Sequence, residues 1–203
     1  MLHFFHLRNI SILVCGFLLL ILSCSSGNNR IEDVDQYDVI ELSSDDEAKS
    51  KVHFISPLDS CFEIDFFNEP IVHEGQDVIE GSDEVVEMIT FLDEISEQEF
   101  YSISYSDYPD IIMDDYSEEE LLELATDGFV EGLALNIVHD HKDLSTERVK
   151  GVQFKAENEE LNIITQLYIV NGRLYQLGAF GVKAVIEDEK AQQFFTSFEL
   201  HCK

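Results

Sequence analysis

From His53 onward, apolar and polar residues alternate in short runs, and this period of two constrains the fold more than any other feature of the chain. In Cys61–Phe67, Phe62, Ile64 and Phe66 fall on one face and Glu63 and Asp65 on the other. Such a run predicts a half-buried strand, because successive strand side chains point to opposite faces. Glu84–Leu92 and Phe100–Tyr105 follow the same rule, with Tyr101, Ile103 and Tyr105 alternating with Ser102 and Ser104. Tyr108-Pro109 ends that run, since proline has no amide to give to a ladder. Glu147–Ala156, Asn162–Val170 and Arg173–Phe180 predict three further strands. Asn171-Gly172 between the last two is a strong hairpin signal, because both residues accept the positive φ of a type I′ turn.

One long helix is predicted from Ser117 to about Val138. Ser117 and Glu120 have the spacing of a capping box, and acids in the first turn complement the helix dipole. Leu122, Ala125, Phe129, Leu133 and Ile137 recur at helical spacing, as a face laid on a sheet requires. Asp188 to about Phe195 predicts a short second helix, followed by Ser197-Phe198-Glu199-Leu200. The sum is about six strands, mostly antiparallel, with one long and one short helix: an α+β domain over residues 53–203.

Charge narrows the functional classes. The chain has 42 Asp+Glu against 12 Lys+Arg, a formal net charge of −30. Such a surface repels phosphates, so a nucleic-acid partner or peripheral docking on anionic lipid is not expected. The N-terminus tells of another route to a membrane. Residues 1–9 carry Arg8, and Ile10 to Leu22 is apolar apart from Ser11 and Gly16. That stretch makes a helix of roughly 20 Å, short of the ~30 Å hydrocarbon core but suited to a signal-peptide core. From Ser25 to about Lys51 the chain is polar and acidic, and a self-repelling, extended tether is expected there, with room for a short strand at Asp38–Leu42.

Ile21-Leu22-Ser23-Cys24, at the end of the apolar stretch, resembles the lipobox of bacterial lipoproteins. The resemblance implies cleavage between Ser23 and Cys24, lipid on Cys24, and a chain divided into signal peptide (1–23), acidic tether (24–52) and globular domain (53–203). More than one acyl chain makes such anchoring stable. By the same analogy, Ser25 after the lipid cysteine favours the outer membrane of the cell envelope. The alternative is an ordinary secretory signal with a chance cysteine.

The domain, over roughly residues 54–201, resembles the Mog1/PsbP-like fold. The matching segments are Phe66-Phe67-Asn68-Glu69-Pro70, Tyr101 to Pro109 leading into the long helix, Asn171-Gly172-Arg173-Leu174-Tyr175-Gln176-Leu177, and the closing Phe194-Phe195-Thr196-Ser197-Phe198. The resemblance implies an antiparallel sheet with helices on its faces and a non-catalytic binding or assembly role. A cystatin-like or NTF2-like domain is the alternative.

Candidate chemistry is sparse. His139-Asp140-His141, with Asp143, combines zinc-type ligands, but it follows the long helix, where a solvated turn is expected. Asp110, Asp114, Asp115, Glu118, Glu119 and Glu120 form an oxygen-rich cluster without EF-hand spacing. Cys61 and Cys202 remain after lipidation and cleavage; in an oxidising envelope they form either a disulfide or two free thiols. Nucleophile-elbow, zincin, P-loop and dinucleotide motifs are absent from the sequence. The expectation is therefore a lipid-anchored, non-catalytic accessory or binding protein with an envelope partner and no cofactor. A divalent-cation or small-molecule binding module, and a hydrolase using His139 or His141, are the alternatives.

Overall fold

A computed structural model describes residues 38–41, 51–56, 61–78, 85–182, 186 and 188–201. Residues 1–37, including Ser23 and Cys24, and Cys202 lie outside them. The described chain forms two antiparallel sheets and three helices. The small sheet has the order β1 (Asp38–Glu41), β2 (Val52–Ile55), β3 (Phe62–Phe66) and β11 (Glu199–Leu200). The large sheet runs β4 (Ile71–Val78), β5 (Val85–Ser96), β6 (Glu99–Asp107), β10 (Arg173–Val182), β9 (Leu161–Val170), β8 (Lys150–Glu157) and β7 (Asn136–Asp143). The helices are α1 (Asp110–Asp115), α2 (Glu118–Gly132) and α3 (Asp188–Thr196).

The α+β class and antiparallel pairing agree with the sequence reading, but the described residues form eleven strands instead of about six. The additional strands have little apolar alternation to betray them. β4 and β7 are the two edges of the large sheet, and their sequences carry acids, histidines and a lysine. β1 lies where the sequence left room for a short strand at Asp38–Leu42, and it pairs with β2.

The large sheet is covered on both sides. Along β10, Leu174 and Phe180 belong to one core cluster, while Tyr175, Leu177 and Ala179 belong to the other. On the first face, α2 packs chiefly on β8 and β9 through Leu121, Ala125 and Phe129. On the second, β2, β3 and α3 bring Phe54, Phe62, Ile64, Phe66 and Phe194 against Phe91, Tyr101 and Tyr175. Phe54 and Phe91 are 4.6 Å apart between ring centroids, and Phe62 lies edge-on to Tyr175 at 6.1 Å. Burying one such ring is worth roughly 1.5–3 kcal/mol, so this aromatic layer dominates the cohesion of the second face.

Two local devices connect the layers. Asp93 of β5, fully buried, accepts hydrogen bonds from the Phe67 amide (2.6 Å), the Asn68 amide (3.1 Å) and the Asn68 side chain (2.8 Å). The carboxylate thus holds the chain as it leaves β3 for the large sheet. The hairpin signal at Asn171-Gly172 is realised, with φ of 51° and 78° and the register Arg173↔Val170.

The long helix is shorter than its sequence pattern predicts. It begins at the Ser117–Glu120 capping box but ends at Gly132. Leu135 donates its amide to the Val130 carbonyl (2.9 Å), and Ala134 donates to Glu131 (3.1 Å). This is a Schellman termination, with Ala134 at φ 49° where glycine is usual. An alanine there gives no stop signal, so the predicted stripe overran. Ile137 lies on β7 and is exposed, and it plays no part in the helix face.

Two substitutions test these devices. Ala134→Gly relieves the left-handed strain at the helix end and is expected to raise stability by about 1 kcal/mol in urea unfolding. Asp93→Ala removes the acceptor of three hydrogen bonds and is expected to lower it by roughly 3 kcal/mol.

Candidate functional site

His139-Asp140-His141 does not form the predicted turn after the helix. The Schellman termination sends the chain directly into β7, which places all three residues on an edge strand. His141 is exposed and lies 5.5 Å from the Phe154 ring; the side chains of His139 and Asp140 are outside the described ones. Among the described residues, no group of three or more His, Cys, Asp or Glu is arranged to hold a metal ion.

The acidic cluster at the start of α2 is taken up by protein contacts. Glu118 accepts the Asn171 amide (2.9 Å), Glu119 pairs with Lys150 (2.6 Å), and Glu120 accepts the Ser117 amide (2.9 Å). The Lys150 hydrogen bond lowers the Glu119 pKa, and the Ser117 hydrogen bonds lower that of Glu120. These carboxylates join α2 to β8 and to the β9–β10 turn. Asp110 sits in the first turn of α1, and Asp114 and Asp115 in its last.

A second charged group was not legible in the sequence. On the outer face of the small sheet, His53 Nδ1 donates to Asp65 Oδ1 at 2.8 Å. A carboxylate can only accept, so this bond fixes the proton on Nδ1. Glu63 pairs with His201 Nε2 at 3.2 Å and approaches His53 Nε2 at 3.6 Å. Alternation in β3 places Glu63 and Asp65 on this face, but nothing in the sequence supplies the register that brings His53 and His201 to them. These groups clip β2, β3 and the C-terminal segment together.

Cys61 is disulfide-bonded, and Cys202 lies outside the described residues. Cys61 adopts φ 47° and its carbonyl accepts the His201 amide at 2.8 Å.

Four of the few cations tie separate elements together. Besides Lys150, Lys155 reaches Asp188 of α3 (2.6 Å) and Lys190 of α3 reaches Glu99 of β6 (3.4 Å). Arg173 grips Asp107 with two nitrogens at 2.6 and 2.7 Å and sits 5.1 Å over the Tyr105 ring. The Asp107 hydrogen bond raises the Arg173 pKa further. The exposed large apolar side chains gather at the rims: Ile71 and Val85 on the β4–β5 edge, Ile111 on α1, and Ile137 and Val138 on β7.

No family model matches the chain, and no curated protein matches it at a significant level. Among the described residues, no helix is long and apolar enough to cross a membrane.

Burial pushes the Tyr168 phenol up to about 12 and raises Tyr108 and Tyr175 as well. These phenols hold their protons more tightly folded than unfolded, so the stability they contribute is complete below pH 10 and is lost as pH rises toward 12. Urea unfolding midpoints are expected to fall across that window. Tyr168→Phe, which removes one such phenol, should make the fall shallower.

Proposed function

We propose that this chain is a lipid-anchored, non-catalytic accessory protein of the cell envelope, whose domain binds a protein partner. The observation that carries the anchoring is Ile21-Leu22-Ser23-Cys24 at the end of an apolar stretch too short to span a bilayer. On this reading the chain is cleaved before Cys24, carries lipid on that sulfur, and sits at the outer membrane. Loss of Arg8 with the signal peptide leaves the mature chain at −31. The anchoring is then hydrophobic, since so acidic a globule is repelled by anionic headgroups.

The partner-binding part of the proposal draws on the edges of the large sheet. β4 and β7 are its terminal strands, and each edge exposes apolar side chains. A terminal strand offers unpaired backbone groups, and apolar residues beside it supply pockets or knobs for a docking strand. β7 suits this better than β4, because Ile137 and Val138 are adjacent and exposed at 41% and 43%. Irregular pairing with β8 between Ile137 and Lys142 leaves this edge locally freer to accept a partner.

A Mog1/PsbP-like fold is the finer architecture we propose. It is supported by an antiparallel sheet carrying helices on opposite faces and by the Asn171-Gly172 hairpin. We also propose Cys202 as the partner of Cys61. The reading is supported by the His201 amide, which donates to the Cys61 carbonyl and so brings the described end of the chain to Cys61.

Crosslinked co-purification from membranes tests the function. The native chain should enrich a defined envelope protein, and Ile137→Lys with Val138→Lys should reduce its recovery at least fivefold without changing the melting temperature. Cys24→Ala should release the domain from the membrane fraction. Recovery of no partner by the native chain would count against the binding role. Intact mass with residues 1–23 retained would count against the anchor. A non-reducing peptide map should join Cys61 to Cys202, and Cys61→Ser should lower stability by about 2–4 kcal/mol.

A further inference from the structure

The two edges of the large sheet are finished differently. β7 slips register twice against β8. β4 runs its whole length, Ile71–Val78, in one uninterrupted register with β5, and it holds no lysine, arginine or proline. Bulges, prolines and lysines are common devices that keep an edge from pairing with another chain, and β4 has none of them. Among the described residues nothing pairs with its outer side, and no residue from Ile71 to Gln76 is buried. A regular row of backbone donors and acceptors therefore faces outward, where one more strand would extend the sheet.

The chemistry of this edge is symmetric about Gly75. Glu74 and Gln76 flank the glycine, His73 and Asp77 lie two residues from it, and Val72 and Val78 lie three away. Two copies of one strand related by a twofold axis pair antiparallel, with the axis perpendicular to the sheet. Such an axis keeps each face of the sheet, so opposed residues share a face and the axis falls on a residue. With the axis on Gly75, Val72 sits opposite Val78 of the other copy, His73 opposite Asp77, and Glu74 opposite Gln76. Each of these pairs occurs twice. An axis on Glu74 would instead set Val72 against Gln76 and Ile71 against Asp77. An axis on Gln76 would set Glu74 against Val78. The Gly75 register alone matches apolar with apolar, imidazole with acid and carboxylate with amide.

Gln76 is already engaged on its own sheet, where its side-chain amide donates to Glu87 of β5 at 3.1 Å. A primary amide carries two N–H groups, so one Gln76 can serve Glu87 and Glu74 of the other copy together. The charge of the whole molecule opposes self-association, since each chain carries −30. That repulsion acts at long range and is screened by salt, whereas the matched residues meet at contact distance.

We propose that β4 is a self-association edge: two copies of this chain pair antiparallel along Val72–Val78, with the twofold axis at Gly75, and join their large sheets into one. A foreign strand would have no need of a pattern symmetric about its own centre, and a second copy does. The inference goes beyond the partner-binding reading, which uses β7, and it needs neither that edge nor the lipid anchor.

The test uses the full chain in mild detergent, with association followed by sedimentation velocity over the micromolar range. The native chain should dimerise, and more tightly as sodium chloride screens the mutual repulsion. His73→Asp sets acid opposite acid at two places and should weaken the dimer at least tenfold. Adding Asp77→His exchanges the two partners at the native composition and should restore it. A second measurement reads the register. Glu74→Cys and Gln76→Cys chains are mixed and oxidised with copper-phenanthroline, and the disulfides are mapped by peptide mass. Position 74 should join position 76 at least fivefold faster than either joins itself. Melting curves establish which variants fold, and where H73D does not, the cysteine mixture decides. A chain that stays monomeric at high salt, a dimer that folded H73D leaves intact, or crosslinks that do not favour 74 with 76 would overturn the proposal. So would capture of position 74 by a different protein in place of a second copy.

Discussion

The structure depends on burying both faces of one sheet. β9 and β10 carry apolar residues on each side, so neither face can be left to water. A single helix covers only part of one face, since α2 reaches β8 and β9. The chain meets the demand on the other side with a second, smaller sheet and α3. The rings of Phe54, Phe62, Phe66 and Phe194 then lie against those of Phe91, Tyr101 and Tyr175. The buried Asp93 carboxyl group follows from the same constraint: where one sheet hands the chain to the other, backbone amides lose water, and its oxygen accepts from them.

What could be read from the sequence was what local chemistry encodes. The β9–β10 hairpin was legible because Asn171-Gly172 is one of few dipeptides that tolerate two positive φ values. The start of α2 was legible because Ser117 and Glu120 cap it reciprocally. The end was not, because tertiary packing holds Ala134 in a conformation its side chain disfavours. β4 and β7 were missed because edge strands bury little and therefore show no clean alternation. The carboxylates and imidazoles on the small sheet meet only through register across residues 53, 63, 65 and 201. The serines of β6 were visible in sequence as the polar half of an alternation. They read as a wet face, whereas the structure buries them.

The charge distribution has a consistent logic. Lys150, Lys155, Arg173 and Lys190 each bridge separate elements, while the surplus of acids stays at the surface. Such exposed ties contribute little each and weaken with salt. They orient helices on the sheet more than they hold them there, and the apolar layers supply the cohesion.

The small sheet also brings together the first and last strands of the described residues. Asp38 pairs with Ile55, Ile55 with Glu63, and Glu63 with Glu199, so the first and last strands share one row. Three inter-strand steps separate them, about 14 Å. Because neighbouring strands are antiparallel, the chain enters β1 and leaves β11 at the same rim. The domain is therefore a closed loop with a narrow neck. A short linker across that neck would let the polypeptide be reopened at a distant surface turn with the same architecture. Whatever follows β11 leaves beside the segment that enters β1, and the opposite rim stays clear.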